Sequence, residues 1–214
     1  MVKHHIHGIY RDGPGLLFGL EGPVYYVMGR MFDDPEHLQA QELVDEFCLA
    51  AFGRAAAPMR EFYDRLYHGI ELYSEYLGTR APAWSYRDLY GRQRKYLTDP
   101  FQLIGFLYPP GLLESLDEDL TRAEKMATGD KVRARLALVR REFDYVRSLA
   151  RVVHLYHAFQ MQPDLASRSR LLDAIDARNT DRLRFGESNL LVVRVHNAQA
   201  NGGIWRPVLA HALE

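Results

Sequence analysis

Apolar residues recur at intervals of three and four through most of the chain, the spacing of one buried helical face. Pro23 opens the first such stretch as a helix start, with Val24, Val27, Met28 and Met31 on one side. Asp34-Pro35-Glu36 reads as the next start: an aspartate cap, a proline at the first helical position, then an acid that suits the helix dipole. Ala40, Leu43, Val44, Phe47, Cys48 and Ala51 form its inner face, and Gly53 stops it. A further helix begins near Ala55 with Pro58 in its first turn, carries Met59, Phe62, Tyr63, Leu66, Ile70, Tyr73 and Leu77 inward, and ends at Gly78. After an irregular stretch over 79–98, Asp99-Pro100 caps a short helix ended by Pro109-Pro110. Leu113, Leu116, Leu120, Ala123 and Ala127 then repeat at three and four. Gly129-Asp130 breaks and recaps. The longest seam follows: Val132, Leu136, Val139, Phe143, Val146, Ala150, Val153 and His157, ended by Pro163. These last two seams predict an antiparallel helical hairpin. A final helix carries Leu171, Leu172, Ile175 and Leu183.

The period changes only near the ends. His5 to Tyr10 and Leu16 to Phe18 read as short strands around an Arg11-Asp-Gly-Pro-Gly15 turn, so residues 1–34 resemble the end of an α/β layer. Leu191 to Val195 reads as a half-buried strand, Asn197 to Gly203 as a loop, and Ile204 to Leu209 as an edge strand marked by Pro207. Two strands alone are marginal in water. The hairpin is therefore expected to be a remnant of a sandwich, loosely attached, in a chain that is a fragment of a larger protein. The predicted fold class is mainly α: a helical bundle with an antiparallel helical hairpin over 35–185, a strand-loop-helix remnant at 1–34 and a β-hairpin at 186–214.

Composition is that of a globular protein, with 47% hydrophobic and 26% charged residues. No apolar run approaches a membrane span. Met1 to Gly8 holds no uninterrupted apolar stretch, so no signal peptide is read, and the compartment stays open. Charge is uneven. Residues 1–130 carry 13 basic and 20 acidic side chains, and residues 131–184 carry 12 and 6. The basic segment suggests nucleic acid, or else packing against the acidic face of the preceding helices. The second is preferred, because the aromatic and glycine patterns of nucleic-acid modules are missing. The single cysteine, Cys48, excludes an intrachain disulfide and reads as a small buried hydrophobe.

Candidate chemistry is sparse. His4, His5 and His7 lack the acids or thiols a metal site needs, and His154 and His157 sit three apart on a helix without a zinc-protease glutamate. No metal and no cofactor is called for. Glu21 is the best single carboxylate: it follows the apolar run Leu16 to Leu20 and precedes the helix start at Pro23, the end of a strand where α/β barrels place catalysis. Alternatively it only complements the dipole of that helix. Trp84, Tyr86, Tyr90 and Tyr96 cluster outside a clear helical face. Such rings stack on sugars, or else pin an irregular loop to the core.

Two segments carry a resemblance. Gly19-Leu-Glu-Gly-Pro-Val-Tyr-Tyr-Val-Met-Gly-Arg-Met-Phe-Asp-Asp-Pro35, Leu43-Val-Asp-Glu-Phe47 and Phe52-Gly-Arg-Ala-Ala-Ala-Pro-Met-Arg-Glu-Phe-Tyr63 resemble a glycoside-hydrolase-like family, domain of unknown function family 4838. There a (β/α) barrel ends in a Tyr-Tyr-rich helix followed by a helical region. Asn189-Leu-Leu-Val-Val-Arg-Val195 with Gly202-Gly-Ile-Trp-Arg-Pro-Val208 resembles the closing strands of the galactose-binding-like sandwich of glycoside hydrolase family 2. The resemblance implies an accessory helical region of a carbohydrate-active protein, without catalytic activity on its own. It also implies carbohydrate as a partner and places the family's catalytic carboxylates upstream of Met1; Glu21 as the candidate catalytic residue, and Trp84, Tyr86 and Tyr90 as candidate sugar contacts, rest on the residue patterns above. The alternative is a non-enzymatic helical interaction module, presenting the apolar seam of 112–161 and self-associating through the edge of the C-terminal hairpin. Neither reading involves nucleic acid or a membrane.

Overall fold

The computed structural model describes residues 18–79, 86–87, 93–94 and 100–187. The expected strands of 1–17 and 189–209, with Trp84 and Tyr90, lie outside them. Within the described residues the chain is mainly helical: α1 (Phe18–Asp33), α2 (Ala40–Phe52), α3 (Ala56–Thr79), α4 (Pro100–Leu107), α5 (Pro110–Met126), α6 (Asp130–Met161) and α7 (Leu165–Glu187). Between α3 and α4, Tyr86–Arg87 (β1) pairs antiparallel with Gln93–Arg94 (β2). No described helix is long and apolar enough to cross a membrane.

Most boundaries follow the punctuation in the sequence. Gly53 ends α2 at φ +55°, a conformation that favours glycine, and its N–H reaches the Leu49 carbonyl. Pro110 opens α5, and Gly129 at φ +81° precedes α6. Before α7, Asp164 accepts the Ser167 N–H at 2.6 Å, while Ser167 Oγ accepts the Asp164 N–H at 3.1 Å. This reciprocal cap also holds the Asp164 carboxyl below its usual range, chiefly through the Ser167 N–H.

Two expected starts are corrected. α1 begins at Phe18, five residues ahead of Pro23, which lies inside the helix. The proline has no N–H to offer the Gly19 carbonyl four residues back. The Tyr63 hydroxyl donates to that oxygen instead, at 2.7 Å, so the helix continues through the proline. Asp34 does accept the His37 N–H, at 3.3 Å, and its carboxylate lies 2.8 Å from His37 Nδ1. The bond closes a single turn only. The chain is extended at Gln39, and α2 begins at Ala40 without a side-chain cap.

The described residues form two compact units, one of 18–66 and 114–143, the other of 67–113 and 144–187. In the first, Leu43, Cys48, Phe52, Met59, Phe62, Tyr63, Leu116, Leu120, Leu136, Val139 and Phe143 are buried. Phe62 meets Tyr63 and Phe143 edge-on at centroid distances of 5.4 and 5.9 Å. Arg140 of α6 binds Asp117, Thr121 and Glu124 of α5, so part of the basic segment does meet the acidic helix before it. In the second unit, Val152, Val153, Tyr156, Leu171 and Ala174 form the centre, with Ile104, Leu149, Phe159 and Ile175 against it. The seam expected as an interaction surface is largely spent on these cores: Leu113, Leu116, Leu120, Ala123, Leu136, Val139, Phe143, Ala150 and Val153 are all buried.

Candidate functional site

The chemistry of the first unit gathers around the start of α1. The first N–H groups of a helix have no partner within it. Here the Gly19 N–H is taken by Glu142 Oε1 at 3.0 Å, and the Leu20 N–H by Glu142 Oε2 at 2.8 Å. Glu142 stands on α6 and is 0% exposed. Its carboxyl is pushed up to about 7. Burial is the main cause and the nearby Glu21 charge adds to it, while the two N–H donors pull the other way. Gly19 permits this approach. A methyl group on it would lie 2.8 Å from Glu142 Oε2 and 3.0 Å from the Val139 Cα.

Sequence reasoning passed over Glu142, since a charge in a long helix ordinarily faces water. A signal was present. Position 142 lies three residues after Val139 and four before Val146, both on the apolar seam, and so on the inward side.

Of the predicted site residues, Glu21 is half-buried in the first turn of α1. Because the helix starts at Phe18, Glu21 stands within it and not ahead of it. Its charge is sensed by Glu142. Two carboxylates in communication suggest acid–base work, but glycoside hydrolysis requires both to reach one bond. Glu142 exposes none of its surface, and each of its oxygens already accepts a backbone N–H. Tyr86 lies in β1, and its side chain is outside the description, as are Trp84 and Tyr90. Among the described residues no His, Cys, Asp and Glu cluster could hold a metal ion. His154 Nε2 lies 2.8 Å from the Tyr108 carbonyl, and His157 packs near Gly105. Cys48 is buried, and burial pushes its thiol up to about 12.

Beside the Glu142 contact an open groove of about 600 Å³ runs over α1, α2 and α6. Gly19 and Gly22 form part of its floor, and Tyr25, Tyr26, Phe47 and Leu138 stand half-buried along it. A methyl on Gly22 would lie 2.9 Å from Phe47 Cζ, so the glycine lets that ring approach α1. At the rim Tyr26 donates to Glu46, and Arg30 donates to the same carboxylate at 2.8 Å; the Tyr26 and Arg30 donors hold Glu46 below its ordinary range. Arg135 Nη1 donates to the carbonyls of Ala51 at 2.9 Å and Ala50 at 3.3 Å, capping the last turn of α2.

In comparisons with known proteins, no family model, no curated protein and no solved structure matches the chain.

Proposed function

We propose that the chain is an accessory helical region of a carbohydrate-active, glycoside-hydrolase-like protein, without catalytic activity of its own. In this reading residues 1–34 derive from the end of a (β/α) barrel, and 186–214 from a galactose-binding-like sandwich. One observation carries the non-catalytic part. Residues that bear the resemblance at 19–63 are spent on structure: Gly19 on Glu142 and Tyr63, Gly22 on Phe47, and Phe52, Phe62 and Tyr63 on the core. The buried Glu142 carboxylate beside them is bound to backbone. Incubation of the whole chain with a panel of aryl glycosides tests the reading. It expects no release above the blank. Turnover that Glu21→Gln abolishes would overturn it.

The interaction-module reading keeps one favourable observation. Met161 and Leu165, at the α6–α7 connection, are 87% and 84% exposed. Light scattering separates the two. The accessory-region reading expects a monomer at high concentration, and concentration-dependent association that Met161→Ser with Leu165→Ser removes would favour the module.

A further inference from the structure

The groove of the first unit combines an apolar bed with one fixed cation. Tyr25, Tyr26, Phe47 and Leu138 offer apolar faces that remain half-exposed. Arg135 lines the same groove. Its guanidinium is held by Nη1 on the two α2 carbonyls, which leaves Nε and Nη2 with no hydrogen bond to the described residues. An arginine pinned at one nitrogen is already oriented, so an acceptor there meets two donors in a set geometry at little entropic cost. The acids nearby do not supply that acceptor: Glu46 is held by Tyr26 and Arg30, and Glu142 by Gly19 and Leu20. A groove of this size suits a small molecule, and its lining has the mix of apolar walls and few polar groups found in ligand sites.

We propose that this groove binds a small amphiphilic acid, with a flat apolar body against Tyr25, Tyr26 and Phe47 and a carboxylate on Arg135. The site is independent of the carbohydrate reading. The aromatic rings supply most of the buried area, and the guanidinium fixes orientation and selects the anion over its neutral analogue.

Calorimetric titration of the whole chain with 1-naphthylacetate, its neutral amide 1-naphthylacetamide, and acetate tests the proposal. Naphthylacetate is expected to bind saturably, the amide at least about tenfold more weakly, and acetate not measurably. Arg135→Met is expected to weaken naphthylacetate by at least about tenfold and to leave the amide nearly unchanged. Since Arg135 also caps α2, Leu138→Trp serves as a second variant. It fills the groove while keeping the Arg135 side chain that caps α2, and is expected to abolish binding of acid and amide alike. Absence of saturable binding, equal binding of acid and amide, or undiminished binding to Leu138→Trp would each overturn the proposal.

Discussion

Glu142 and Gly19 are 123 residues apart in sequence, and the carboxylate of one accepts the backbone N–H of the other at 3.0 Å. A neighbouring bond to Leu20 uses the second oxygen. One side chain on the longest helix thus satisfies two of the N–H groups that every helix leaves over at its start.

Two glycines of α1 are expected to respond oppositely to alanine. At Gly19 the new methyl meets Glu142 and the Val139 backbone at 3.0 Å or less, and a loss of about 2 kcal/mol is expected after the helical gain of alanine is offset. At Gly29 nothing lies within 4 Å, so Gly29→Ala is expected to stabilise by up to about 1 kcal/mol. Urea denaturation of both variants measures the contrast. A Gly19→Ala protein as stable as the parent contradicts the packing described.

Tyr63 and Pro23 form a second testable pair. Tyr63→Phe removes the one donor that reaches the Gly19 carbonyl among the described residues and is expected to cost about 1–2 kcal/mol, because that oxygen is left buried and unsatisfied. In a Pro23→Ala background the alanine N–H supplies the missing helical bond. The same Tyr63→Phe change should then cost markedly less. Purely additive costs in the double-mutant cycle would show that the hydroxyl does not stand in for the absent N–H.

Cys48 is expected to resist thiol reagents in the folded chain. It is 1% exposed, and burial lifts its thiol to about 12, so almost no thiolate is present near neutrality. Labelling with a disulfide reagent should proceed only as fast as the protein opens, and should become rapid in denaturant. Rapid labelling under native conditions would contradict the burial.

The buried faces were legible in the sequence because the periodicity was long: Met59, Phe62, Tyr63 and Leu66 on α3, and Leu136, Val139 and Phe143 on α6, lie where the spacing places them. Gly53, Pro110, Gly129 and Pro163 mark boundaries for local reasons, and the helices end or begin beside them. Pro23 and Asp34 misled for a tertiary reason in one case and a local one in the other. A proline inside a helix becomes acceptable only when a distant hydroxyl replaces its N–H, and the Asp34 cap closes a turn that the chain does not extend. Glu142 stayed hidden because its partners are backbone atoms of another helix, which leave no residue-type signature.

The raised Glu142 carboxyl makes stability depend on pH in a definite direction. The group's ordinary value is 4.5 and its folded value is about 7. Below 4.5 it is protonated folded or unfolded, and its contribution is fully present. Between 4.5 and 7 the unfolded chain gives up the proton first, so stability falls as pH rises, by roughly 3 kcal/mol in all. Glu142→Gln cannot titrate and is expected to lose most of that fall. Chemical denaturation of parent and variant from pH 4.5 to 8 gives the difference, in which other titrating groups largely cancel. Equal pH slopes would contradict the assignment.

The central claim is that the Glu142 carboxyl is a structural group, buried and joined to the start of α1. The most direct measurement is an NMR titration of its side-chain carboxyl carbon, followed together with the amide resonances of Gly19 and Leu20. The carboxyl is expected to titrate near 7, with both amides shifting at the same midpoint as their shared acceptor changes charge. A carboxyl that titrates near 4.5 while the Gly19 and Leu20 amides stay still would contradict the account.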